Sequence, residues 1–184
     1  MQPSLSVSDL IVRQQAGERL KYLFFWGHTP PADGSITKAC FSQWWFAPFD
    51  IEDTLYPTAE HYMMATKARL FGDEAMLAKI LTSSHPKQAK DFGRQISNFD
   101  ESLWLQHRYR IVYEANLAKF SQHSKLREFI LNTGNRILVE ASPVDKIWGI
   151  GLAADDTNAE HPAKWKGLNL LGFALMDVRT ALQK

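Results

Sequence analysis

A chain of 184 residues with 21 basic and 20 acidic side chains, 45% hydrophobic and 12% aromatic, suits one domain with a sizeable core and excludes a disordered tail, a collagen-like rod or a coiled coil. Its formal charge of +1 supplies no field for sequence-blind nucleic-acid binding, so a nucleic-acid substrate would have to be gripped locally. Apolar stretches fall short of the ~20 residues of a membrane span, Met1 to Leu20 carries no signal-like run, and Cys40 is the only cysteine, which together predict a cytoplasmic chain with no membrane partner and no thiolate metal site.

Residues 1–20 read as a loosely held arm or a short leading helix, and residues 21–184 as the domain. Tyr22 to Trp26, bounded by Gly27, predicts a buried strand, and Pro30, Pro31, Asp33 and Gly34 a loop. Cys40 to Phe49 reads as part strand and part loop. Pro57-Thr58-Ala59-Glu60 predicts a helix start running to Phe71, followed by a second helix through Leu81 and a third, capped by Ser83 or Ser84, ending near Gly93. Asp100 caps the longest helix, Glu101 to about Ser121, with Trp104, Ile111 and Ala115 on one face and Lys119 among the charges on others. Lys125 to Asn132 is helical, Ile137 to Glu140 a short strand ending in a glutamate, residues 143–167 a long loop, and Leu168 to Lys184 a closing helix. The expected class is a helix-rich α+β domain with a small sheet.

Gly149, Gly151 and Ala154 match a dinucleotide-type spacing, but an acidic loop follows them where that motif needs a helix, so a Rossmann fold is excluded. The histidines lack metal-ligand spacing; neither metal nor cofactor is expected. Glu60 and Lys67, seven apart, project from nearly one face of the first long helix with Met63 and Met64 between them. This pair has two readings. A first-turn glutamate favoured by the helix dipole and a lysine lying along apolar surface need no function. A desolvated lysine, however, is a competent amine nucleophile, and a shielded carboxyl can hold a proton or steady a cation, the pair that chemistry at a sugar C1 requires. Trp148, beside Gly149 and Gly151, can cover a ligand ring or anchor its loop, and Arg94 can clamp a phosphate or lie free on the surface.

Tyr56-Pro57-Thr58-Ala59-Glu60-His61-Tyr62 with Lys67, Phe92-Gly93-Arg94, Trp104, Lys119-Phe120, Leu138-Val139-Glu140-Ala141, Asp145, Trp148-Gly149-x-Gly151 and Gly167-x-Asn169-x-Leu171-Gly172 together resemble the NADAR (YbiA-like) family from about Lys21 to Arg179. The resemblance implies a YbiA-like fold and hydrolysis of a ribosyl C1–N bond, in phosphoribosylamino-pyrimidine intermediates of riboflavin synthesis or in ADP-ribosyl-guanine of DNA or RNA. It marks Glu60, Trp104 and Asp145 as catalytic candidates and Lys67 as the amine of a Schiff base. Arg94, Trp148, Gly149, Gly151 and Asn169 are candidate substrate contacts, as are Ser42, Gln43 and Trp44, where family members often carry Ser-Asn-Phe. A closed-ring route through an oxocarbenium-like transition state and a non-catalytic NAD or ADP-ribose reader are the alternatives.

Overall fold

A computed structural model describes residues 1–183. The chain is α+β, as predicted, with seven α-helices and two separate two-stranded sheets among the described residues. Residues 1–20 contain helix α1 (Val7–Gln15), opened by a reciprocal capping box between Ser6 and Asp9 and held by the fully buried Leu10. Of the two readings of this segment, the structure shows the leading helix. Strand β1 (Tyr22–Phe25) then pairs in parallel with β4 (Ile137–Glu140), Phe25 opposite Glu140. A parallel pair needs a crossover, and here every intervening helix serves as one.

No strand forms between Cys40 and Pro48. Lys38–Phe41 is a 3-10 turn, and the carbonyls of Cys40 and Ser42 that a ladder would use are taken by the side chain of Lys119. Strands β2 (Phe49–Ile51) and β3 (Thr54–Tyr56) form an antiparallel hairpin around Glu52 and Asp53, both at positive φ (51° and 57°). Helix α2 (Ala59–Leu70) begins two residues later than the proline suggests, because Thr58 accepts from His61 N–H as the cap while the Pro57 carbonyl accepts from Ala47 N–H. Helix α3 (Glu74–Thr82) is capped by Asp73, and α4 (Pro86–Gly93) by His85 rather than by Ser83 or Ser84, whose hydroxyls donate to Ile80 O and Gln88 Oε1. Helices α5 (Glu101–Gln122) and α6 (Ser124–Leu131) follow, and α7 (Leu170–Leu182) closes the chain against α5 and β4.

Helix α2 has contacts with α3, α4, α5 and β3, and Ala59 to Ala65 are all buried. A helix enclosed in this way carries its polar side chains inward with the rest. Lys119, expected on an outer face of α5, is instead 0% exposed. Among the described residues no helix is long and apolar enough to cross a membrane.

Candidate active site

A cleft of about 910 Å³ opens where β1 and β4 end, walled by α2, the Ser42–Trp44 turn, the end of α4 and the loop after β4. Ligand sites at the carboxyl end of parallel strands are a general property of open α/β arrangements, because the loops leaving the strands diverge there. Nine of the residues marked in the sequence line it: Glu60, Lys67, Trp104, Asp145, Arg94, Trp148, Ser42, Gln43 and Trp44.

Glu60 sits in the first turn of α2, its backbone N–H donating to the Gln43 carbonyl (3.0 Å). The residue is 3% exposed and its Oε1 has no hydrogen-bond partner. Burial pushes the carboxyl up to about 7; Lys90, Trp44 and Arg94 pull the other way, and the negative charge of Asp145 adds to the rise. Two turns along the helix, Lys67 donates from Nζ to the Gly93 carbonyl (2.7 Å) and lies 4.5 Å from the Phe99 ring centre and 5.7 Å from that of Trp104. Its amine is held below the usual lysine range by burial. Gly93 lets α4 lie close against α2, since a Cβ there would stand 2.0 Å from Met64 Sδ and 2.9 Å from its Cγ.

The orientation of Gln43 follows from its neighbours. Asn116 Nδ2 donates to Val112 O (2.8 Å) within α5 and to Gln43 Oε1 (2.7 Å), so the Gln43 amide nitrogen turns away; it is buried without a partner. Lys119 holds the same segment, its Nζ donating to the carbonyls of Cys40 (2.6 Å) and Ser42 (3.0 Å), and burial draws its amine down to about 8. Trp44 packs beside His28, with Lys90 Nζ 5.7 Å from its ring centre. Asp145 Oδ1 accepts from the N–H groups of Ile147 and Trp148 (2.8 Å each), a side-chain turn that fixes the loop and sets the Trp148 indole at the cleft wall. Arg94 stands at the mouth, its side chain 69% exposed and 3.6 Å from Asp91.

Gly149, Gly151 and Asn169, expected to touch substrate, belong instead to the frame behind the cleft. A Cβ on Gly149 would lie 2.8 Å from the Glu140 carbonyl; Gly151, at φ +67°, would meet Lys166. Asn169 is fully buried in the left-handed conformation (φ 53°), where Oδ1 accepts from Glu140 N–H and Nδ2 donates to Leu138 O, both at 3.0 Å. It clamps β4 to the start of α7. Sequence reasoning left Glu140, Lys90 and His28 outside the site, and all three line it. Glu140 offered one signal, a glutamate closing an otherwise apolar strand. Among the described residues no group of three His, Cys, Asp or Glu side chains converges as a metal site would require.

Fold and cleft define a helix-rich α+β domain whose aromatic-walled site holds a shielded acid and a desolvated amine on one helix. The NADAR domain model matches residues 24–183, and the chain belongs to the NADAR family. It is 43% identical over 171 residues to an N-glycosidase of Acanthamoeba polyphaga mimivirus, covering 89% of this chain and 98% of that one. It is 33% identical over 142 residues to the N-glycosidase YbiA of Escherichia coli, 77% of this chain and 78% of YbiA. The NMR structure of E. coli YbiA superposes with a TM-score of 0.71 at 29% identity, over 90% of this chain and 87% of YbiA.

Proposed function

We propose that the protein is an N-glycosidase that hydrolyses a ribosyl C1–N bond, with ADP-ribosyl-guanine in nucleic acid or a phosphoribosylamino-pyrimidine as substrate, through a Schiff base on Lys67. The observation that carries this reading is the meeting of a buried Glu60 and a half-buried Lys67 in one cleft of nucleotide size, where desolvation shifts both groups toward their neutral forms. The relatives named N-glycosidases support the same class.

In the route that uses both groups, Glu60 gives a proton to the ring oxygen as the C1–O4 bond breaks, and the lone pair of the leaving nitrogen forms an imine at C1. The Lys67 amine adds to C1. The C1–N bond to the base then breaks, its nitrogen taking a proton and departing as a neutral amine, which leaves an iminium between Lys67 and C1. Water adds at C1, a proton passes to Lys67, and the C1–Nζ bond breaks to release the sugar aldehyde. In this reading the Trp104 and Trp148 rings stack on the base and Lys90 and Arg94 meet phosphate, which their positions on the cleft lining support.

The test is incubation with an ADP-ribosylated guanine oligonucleotide and, separately, a phosphoribosylamino-pyrimidine, followed by product mass. Borohydride added during turnover should leave a reduced sugar adduct on Lys67, and Lys67→Ala should lose at least ~10³-fold in rate along with the adduct. Full activity of that variant would end the Schiff-base route. No cleavage by the parent, with ADP-ribose affinity intact in Lys67→Ala and Glu60→Gln, would make the cleft a reader.

A further inference from the structure

Glu140 has no part in the steps above, yet it is held like a working residue. Its backbone is fixed on every side: the N–H donates to Asn169 Oδ1 (3.0 Å), the carbonyl accepts from Ile150 N–H (3.0 Å), and the residue pairs with Phe25 across the parallel strands. From that anchored position the side chain reaches the cleft, where Oε2 is buried with no hydrogen-bond partner. Burial and the nearby charges of Asp145 and Glu60 push the carboxyl up to about 8, with Lys90 opposing. No salt bridge, cap or turn among the described residues uses it. Asp145 differs in this respect, because its Oδ1 is already committed to two backbone N–H groups.

An unpartnered buried carboxyl oxygen is unfavourable for folding, and a ligand that brings hydroxyl groups removes the defect. A ribosyl group brings two, cis on neighbouring carbons, and the two oxygens of one carboxyl are spaced to meet such a pair. The other orphan oxygen at the cleft, Glu60 Oε1, comes from α2, the wall that also carries Lys67. Glu140 comes from the strand wall. We propose that Glu140 is a specificity-determining residue, its carboxyl receiving the hydroxyls at C2 and C3 of the bound sugar while Glu60 and Lys67 address C1, so that the site takes ribosyl and rejects 2-deoxyribosyl groups. The inference rests on the reading above only in taking a ribosyl group as the ligand.

The test uses ribose 5-phosphate and 2-deoxyribose 5-phosphate as probes, titrated calorimetrically into the parent protein, Glu140→Ala and Glu140→Gln. Titrated at pH 9, where the carboxyl is ionised, the parent should bind the ribose probe roughly 10- to 100-fold more tightly, the equivalent of one hydroxyl bonded to a charged group. Glu140→Ala should bring the two within about threefold by weakening ribose alone, and Glu140→Gln should keep an intermediate preference. Its thermal midpoint should equal or exceed the parent's, whereas a residue present only for the fold would lower it. Equal binding of both probes by the parent, binding of neither, or an undiminished preference in both variants would overturn the proposal. A sugar preference that depends on Glu140 in a protein that cleaves no C1–N bond would overturn the proposed function and leave this inference standing; cleavage without the preference would do the reverse.

Discussion

Replacing Glu60 by glutamine should make the protein more stable, and by an amount that depends on pH. The carboxyl ionises at about 4.5 in an unfolded chain and at about 7 in the fold, where burial disfavours the charge. The folded state therefore holds this proton more tightly than the unfolded state, so stability falls as pH rises. The full contribution is present below about 4.5 and is lost progressively up to about 7, beyond which the deficit is constant. At 1.36 kcal/mol per pKa unit the loss is roughly 3 kcal/mol. Glutamine is uncharged and close in shape to the protonated acid, so parent and Glu60→Gln should differ little at pH 4.5 and by about 3 kcal/mol at pH 8. For a domain of this size that corresponds to a thermal midpoint roughly 6–12 °C higher in the variant. Urea and thermal unfolding of both proteins at the two pH values measure it. Parallel loss of stability in both proteins would refute the idea that burial holds Glu60 neutral, and with it the proposed supply of a proton to the ring oxygen.

Gly172→Ala should lower stability by at least about 3 kcal/mol, because the new Cβ would stand 2.1 Å from Leu138 O and 2.6 Å from both side-chain heteroatoms of the clamped Asn169, none of them free to move. Gly34→Ala, with open space around it and only a left-handed backbone (φ +69°) to resist, should cost roughly 1–2 kcal/mol in the same denaturation assay. Lys119→Met should remove the side-chain donor that bridges the Cys40 and Ser42 carbonyls, leaving Ser42 O only its bond from Trp45 N–H, and loosen the segment bearing Gln43 and Trp44. In steady-state kinetics this should appear as a raised KM with a smaller change in kcat, together with about 1–3 kcal/mol lost in urea unfolding; an unchanged KM would show that the segment holds its place without the lysine.

Elements with strong local signals were legible in order. Asp100 accepts from Leu103 N–H as the expected cap of α5, and Ile137–Glu140 is the strand its apolar run suggested. The β2–β3 hairpin was not, because each strand has three residues and the turn is Glu52-Asp53, where asparagine and glycine would have announced positive φ. Lys119 defeats any reading by periodicity, since its charge counts as an outward face until the Cys40–Ser42 turn is known to lie over it. The same limit governs the site. Seven-residue spacing was enough to put Glu60 and Lys67 on one face of α2, but the wall that Glu140 occupies exists only because β4 pairs with a strand far away in the chain. Asn169, Gly149 and Gly151 stand out in the sequence, yet what separates a residue touching ligand from one bracing the wall is the direction of its side chain.

The pairing of β1 with β4 has a consequence for synthesis. Tyr22 leaves the ribosome early and finds Ile137 only after six helices have been made, and β4 is fastened through Asn169 at the head of the last helix. A nascent chain that has completed α6 therefore carries Glu60 and Lys67 on a finished helix but lacks the cleft wall made by β4 and the loop after it. Premature termination before α7 deletes the fastening and spares both residues, leaving Glu60 and Lys67 facing a strand wall that nothing ties down.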